Sequence, residues 1–222
     1  MPSWIDGLVL FLPMDEGSGD PKDFSSHGNH GTNYGASWVD GKYGKALSFD
    51  GVDDYVEIPH SSSLYLDGDF TVVAWATLER TPTVYPGVID KGRPTINDFW
   101  FLSRDTFNQF MWGIGFTDGT LLEQTFPLIS LSEWNLYAFG VEGTNMFMSL
   151  NGSAKTLLAF TKTRKIDTQR LTLGCNNNLS GFEKVKLDEV RIYNRALSQS
   201  EITESMSCAG GGLLDKWWVK KR

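Results

Sequence analysis

The feature that most constrains this chain is its rhythm. Short apolar runs, each closed by Gly, Pro, Asp or Asn, recur from residue 7 to residue 193. Gly7-Leu8-Val9-Leu10-Phe11-Leu12-Pro13 reads as a first strand ended by proline. Val56 and Ile58 alternate with polar neighbours, as on a half-buried strand. The run 70–78 is nearly continuous in apolar character, which suits a strand inside a sandwich. Further runs at 46–49, 84–90, 98–104, 109–116, 135–141, 144–150, 154–160, 170–174 and 184–193 continue the series. Asn151-Gly152 between two such runs is a hairpin signal. One helix is expected, opened by Ser198 with Glu201 three residues on as a capping box, and running to about Met206. The pattern predicts an all-β fold, an antiparallel two-sheet jelly-roll sandwich with one short C-terminal helix. Residues 15–44, rich in Gly, Ser, Asp and Asn, read as one long loop, and a long ordered loop needs a reason such as a bound ion.

A chain of 222 residues suits one large sandwich. Residues 1–209 are assigned to it, and 210–222 to a Gly-rich linker and a basic aromatic tail. That tail, with Trp217, Trp218, Lys220, Lys221 and Arg222, either packs on the domain or docks on a partner or membrane surface. The net charge of −7 argues against nucleic acid as a partner. No apolar stretch is long enough to span a membrane as a helix, and Met1–Asp6 has no basic region followed by an apolar one. Cys175 and Cys208 form one disulfide or remain two buried thiols.

Acidic loops suit hard cations, and calcium takes six to eight oxygens. The segment 15–32 offers Asp15, Glu16, Asp20, Asp23 and Asn29. His27 and His30 lack a third histidine nearby and read as solvated loop residues. For a sugar, which stacks on aromatic faces, the candidates are Trp100, Trp112 and Tyr85, with Trp134, Tyr137 and the loop Asn176–Asn178 behind them; most Trp of a sandwich are core, so one or two exposed aromatics are expected. Asp188 and Glu189 are adjacent on a strand and point to opposite faces, so they do not pair for catalysis. No nucleophile elbow or P-loop occurs.

Three segments together resemble a known family: Asp23-Phe24-Ser25-Ser26-His27-Gly28-Asn29-His30-Gly31-Thr32, then Gly44 through Pro59 with Asp50-Gly51-Val52-Asp53-Asp54 at its centre, then Leu187-Asp188-Glu189-Val190-Arg191-Ile192-Tyr193-Asn194-Arg195-Ala196-Leu197-Ser198. In this order they resemble the laminin-G-like jelly-roll domains of the concanavalin A-like lectin group, over about residues 7–207. The resemblance implies a structural calcium between the early loop and the last long strand, with Asp23, Asn29 and Asp188 as ligands and Glu16 as a further one. It also implies a non-catalytic module that binds a glycan or a cell-surface protein in an extracellular, cell-surface or virion setting. The alternatives are an assembly component of a virus or surface layer, and a polysaccharide-degrading enzyme. The Glu-x-Asp-x-x-Glu strand of the related glucanases is not present.

Overall fold

The computed structural model describes residues 5–79, 85–92, 100–104, 109–127, 132–166 and 168–207. Two antiparallel sheets face each other. One contains β1 (Leu8–Leu12), β3 (Ser37–Asp40), β4 (Lys45–Asp50), β6 (Phe70–Leu78), β11 (Asn135–Glu142), β12 (Asn145–Leu150), β13 (Thr156–Ala159) and β15 (Lys184–Tyr193). Its order is β13-β12-β11-β6-β15-β4-β3, with β1 pairing the far part of β15. The other contains β2 (Thr32–Tyr34), β5 (Tyr55–Ile58), β7 (Gly87–Lys91), β8 (Trp100–Arg104), β9 (Phe110–Gly115), β10 (Leu121–Thr125) and β14 (Leu171–Leu173), in the order β10-β9-β8-β7-β14-β5-β2. A single turn of 3-10 helix covers Ser62–Leu64, and α1 covers Gln199–Glu204.

Pleat parity explains the core. Val56 and Ile58 of β5, Trp100 and Leu102 of β8, Trp112 and Ile114 of β9, and Leu171 and Leu173 of β14 face inward. They meet Phe70 and Val72 of β6, Phe139 and Val141 of β11, and Val190 and Ile192 of β15. A smaller cluster lies on the outside of the first sheet, where Val73, Trp75, Leu136 and Phe147 are covered by Tyr193, Leu197 and Ile202. Helix α1 is held there by the expected capping box: Ser198 Oγ accepts from Glu201 N, and Glu201 accepts from Ser198 N.

The strands with the strongest apolar patterns fall where the sequence places them, β6 and β15 with the same bounds. Three strands do not announce themselves. β2 and β3 lie inside the expected long loop, and β10 falls in a stretch read as connection. Each is short and largely exposed, so no apolar alternation marks it.

Candidate functional site

The early loop performs a structural task. Strand β1 sits off the main path of its sheet, and loop 23–29 covers its free edge. Asp23 Oδ1 accepts from Phe11 N (2.9 Å) and Ser25 N (2.8 Å), and Oδ2 accepts from Ser25 Oγ (2.8 Å) and Asn29 N (2.8 Å). Asn29 Nδ2 donates to Val9 O and Ser63 Oγ, while its carbonyl accepts from Ser61 Oγ (2.6 Å). Phe24 N donates to Phe11 O. Side chains thus stand in for a missing strand. His27 and His30 are exposed, with His30 Nδ1 accepting from Asp23 N.

These contacts bear on the expected calcium set, Asp23, Asn29, Asp188 and Glu16. A carboxylate offers about four lone-pair sites. Those of Asp23 are met by four protein donors, and Asn29 is committed on both ends. Asp23 thus has no oxygen left over, while Asn29 Oδ1 accepts one bond, from Ser61. Glu16 differs: Oε1 accepts from Lys22 N, whereas Oε2 is buried without a partner. Asp188 differs most. It is fully buried, Oδ2 accepts from Tyr43 N (2.9 Å), and Oδ1 has no partner.

The position of Asp188 comes from a β-bulge. Asp188 faces Trp75 and Arg191 faces Val73, so β15 spends one residue more than β6 between them. Glu189 absorbs the extra residue with φ +54, a backbone region uncommon for a residue with a side chain. Both carboxyls are buried, and Glu189 pairs with Arg191. Asp188 instead aims at the turn joining β3 and β4. A side chain at Gly41 would press on Asp188 Oδ2, and one at Gly44 would press on Asp15 Oδ1. Asp15 Oδ1 accepts from Lys45 N on the same turn. Burial pushes the Asp188 carboxyl up to about 8, and the nearby charges of Glu189 and Asp15 add to the shift. A divalent cation would relieve this arrangement, so the residues fit one at Asp188, with Asp15 beside it, while the oxygens of Asp23 are engaged within the loop.

The expected sugar platform also changes. Trp100 and Trp112 are each 0% exposed. Their rings pack on Phe70 and Phe139 between the sheets, which rules out stacking on a ligand. Both stand at inward-facing positions of their strands, so burying their apolar surface fixes them in the core. Trp134 is packed against the outer cluster and Tyr137 is core. Tyr85 is half exposed, at the turn that meets Asn176 and Gly181.

An aromatic pair that the sequence did not signal lies on the outer face of the second sheet. Tyr34 of β2 and Tyr55 of β5 are cross-strand partners, stacked at 4.5 Å between centroids and 12° between planes. Phe182 adjoins Tyr55 at 6.4 Å. Glu57 shares the face with Tyr55 and pairs with Arg170 at 2.6 Å. Burial pushes the Tyr55 phenol above its ordinary value, with Tyr34 and Glu57 as neighbours acting in the same sense. The outward parity of Tyr55 and Glu57 follows from the inward Val56 and Ile58. The pairing with Tyr34 is set by β5 alone, because Thr32-Asn33-Tyr34 carries no apolar alternation of its own.

A cleft of about 280 Å³ opens where the edge strands β10 and β13 meet. Phe116, Leu121, Leu122 and Phe160 line it, with Lys162 at its rim paired to Asp118 (2.9 Å). None of its lining residues is acidic. Among the described residues, one cluster brings three or more metal-ligating side chains within 4.8 Å: Asp50, Asp53 and Asp54 on the β4–β5 turn. There Asp50 Oδ1 accepts from Val52 N and Asp53 N, and Asp54 Oδ2 accepts from Asp50 N. Cys175 is a buried free thiol, its pKa pushed up to about 12 by burial. Of the two alternatives for the cysteines, Cys175 fits the buried thiol. The other cysteine, Cys208, and the basic aromatic tail lie outside the described residues. No helix among the described residues is long and apolar enough to cross a membrane.

Residues 50–203 match a laminin-G model of the concanavalin A-like lectin/glucanases superfamily. Among solved structures, the binding domain of Paraclostridial Mosquitocidal Protein 1 is similar over 92% of this chain and 52% of that one, at 17% identity and a TM-score of 0.77. Domain 4 of AbnA, a GH43 extracellular arabinanase of Geobacillus stearothermophilus solved with arabinotriose, is similar over 89% of this chain and 97% of that one, at 22% identity and a TM-score of 0.71. The binding domain of botulinum neurotoxin DC, solved with rat synaptotagmin II, is similar over 93% of this chain and 52% of that one, at 13% identity and a TM-score of 0.73. The chain thus spans about half the length of the two toxin binding domains. At these identities the likeness is one of fold. No curated protein is similar to it in sequence.

Proposed function

Since the chain belongs to the concanavalin A-like lectin/glucanases superfamily, we propose that it is a non-catalytic binding module of a secreted or surface protein, recognising a glycan or a cell-surface partner. The observation that carries this reading is the exposed Tyr34 stacked on the half-buried Tyr55, beside the Glu57–Arg170 pair. It combines an apolar ring face with groups that donate and accept hydrogen bonds, the two elements from which small-ligand sites are built. The fold neighbours support it by kind: a domain solved with arabinotriose, and binding domains of toxins.

Non-catalytic action is supported by where the carboxylates stand. Asp188 is sealed beneath a turn, Asp50 and Asp54 accept bonds from their own turn, and the cleft between β10 and β13 has no acid in its wall. Paired carboxyls facing a shared substrate are what glycoside hydrolysis needs. Calcium is proposed as a structural ion held by Asp188 with Asp15, supported by the unpartnered Asp188 Oδ1. It would tie the early loop and the β3–β4 turn to the last long strand.

A glycan array probed with wild-type protein and Tyr34→Ala, each with and without EDTA, tests the reading. Binding lost or strongly weakened in Tyr34→Ala is expected. Absence of binding under every condition sinks the glycan reading.

A further inference from the structure

We infer that the Tyr34 site takes an uncharged, hydroxyl-rich sugar, and selects against uronates, sulfated sugars and sialylated ends. This rests on the reading of the chain as a glycan-binding module and names the ligand class of its site.

The platform has one open side. β2 closes the order of its sheet, so no strand lies beyond Tyr34. One face of its ring is spent on Tyr55, yet the residue keeps 45% exposure. The free face therefore points away from the sheet. The stack on Tyr55 holds the ring in advance, and the backbone beside it is set as well. Tyr34 ends β2 at a corner made by Gly35, where φ is +91 and a Cβ would lie 2.1 Å from Asp54 Oδ1. Only glycine makes that corner, and a ring already held costs less ordering when a ligand arrives. The C–H face of a pyranose or furanose ring is the apolar surface that packs against such a ring.

Charge sets the class. Glu57 lies on the same face as Tyr55, Asp54 lies beneath the Gly35 corner, and Asp50 and Asp53 stand on the adjoining turn. Two cations near them, Arg170 and Lys184, are balanced by Glu57 at 2.6 Å and Glu79 at 2.9 Å, so Asp50, Asp53 and Asp54 leave the rim with an excess of negative charge. A carboxylated or sulfated sugar would bring like charge into this rim, and such a juxtaposition disfavours the wrong partner. A neutral sugar meets the pair differently. Of two vicinal hydroxyls, one can donate to Glu57 while the other accepts from the Arg170 guanidinium, without parting the ions.

Calorimetric titration decides it, with linear trisaccharides of arabinose, xylose and glucose as neutral probes, and trigalacturonate and sialyllactose as anionic ones. At least one neutral probe is expected to bind, with affinity insensitive to salt. The anionic probes should bind at least about tenfold more weakly, and Tyr34→Ala should weaken the neutral probe by about tenfold. Tyr34→Phe keeps the ring and should stay within about twofold, which separates lost stacking from lost folding. An anionic probe that binds more tightly, and loses affinity in Tyr34→Ala, overturns the ligand class and leaves the module reading intact. A neutral probe unaffected by Tyr34→Ala overturns the site. Failure of every probe at millimolar concentration overturns the inference and the glycan reading together.

Discussion

Two buried aspartates, Asp23 and Asp188, occupy the same kind of place and lead opposite lives. Both belong to motifs that suggest a metal ligand. Asp23 has both oxygens filled by backbone and hydroxyl donors of its own loop and of β1. Asp188 has one oxygen filled and one left over, in a site sealed from water. A buried carboxylate without its bonds is costly, so it either keeps a proton or finds a cation. Residue type and motif do not separate the two cases; an account of each oxygen does. The comparison teaches that Asp23 spends all its bonds holding the early loop on β1, whereas Asp188 leaves one oxygen unspent.

The sharpest way to break that contrast is to remove Asp23. Asp23→Ala leaves the N–H groups of Phe11 and Asn29 buried without acceptors and frees the edge of β1. A loss of about 4 kcal/mol is expected in urea unfolding, with or without EDTA. A loss that vanishes on chelation would mean that Asp23 acts through an ion, and one below about 1 kcal/mol that its bonds do not hold the loop.

Asp188 should behave the other way. Calcium at about a hundred times its dissociation constant should stabilise the wild type by about 2.7 kcal/mol over metal-stripped protein, seen as a raised melting temperature. Asp188→Asn should lose that response, while Asp23→Asn, where it folds, should keep it. A wild-type melt unchanged by calcium or EDTA refutes the ion at Asp188.

The contrast also marks how far the sequence could be read. β6 and β15 were legible to the residue because their signal is local, an apolar run or alternation between turns. The capping box at Ser198 was legible for the same reason. β2 was not, because Thr32-Asn33-Tyr34 has no apolar member facing the core and is defined by its partner β5. The site suffered most. The early loop was visible as a motif, but its role depends on Val9 O and Phe11 N, backbone atoms that any residues would present. Asp188 meets Tyr43 across 145 positions, through a bulge whose extra residue leaves no mark on composition. Trp100 and Trp112 failed as sugar ligands because aromatic type signals burial and binding alike, and parity within a sandwich decides between them.

Trp112 sharpens that last point. Trp112→Phe trims a ring packed on Phe139 and should cost about 1.5 kcal/mol of stability, while glycan affinity per folded molecule stays unchanged. A selective loss of binding would return the ring to the ligand site.

The smallest effect belongs to Glu201, a third carboxylate whose bonds are met as fully as those of Asp23 but near the surface. It accepts from Arg195 (2.6 Å) and from Ser198 N (2.8 Å), so hydrogen bonding to Arg195, with Ser198 adding, holds its carboxyl down at about 2. The folded state therefore releases this proton more readily than the unfolded chain, whose group titrates near 4.5. Stability from this carboxylate is present above that ordinary value and is lost as pH falls through it toward about 2. At neutral pH Glu201→Gln should be about 1 kcal/mol less stable than wild type, the worth of a helix cap and an exposed ion pair. The gap should close as the pH falls from about 4.5 to about 2. A gap that persists in acid would show that the side chain acts through packing rather than charge. A gap as large as that of Asp23→Ala would show that burial is not what separates the two filled carboxylates.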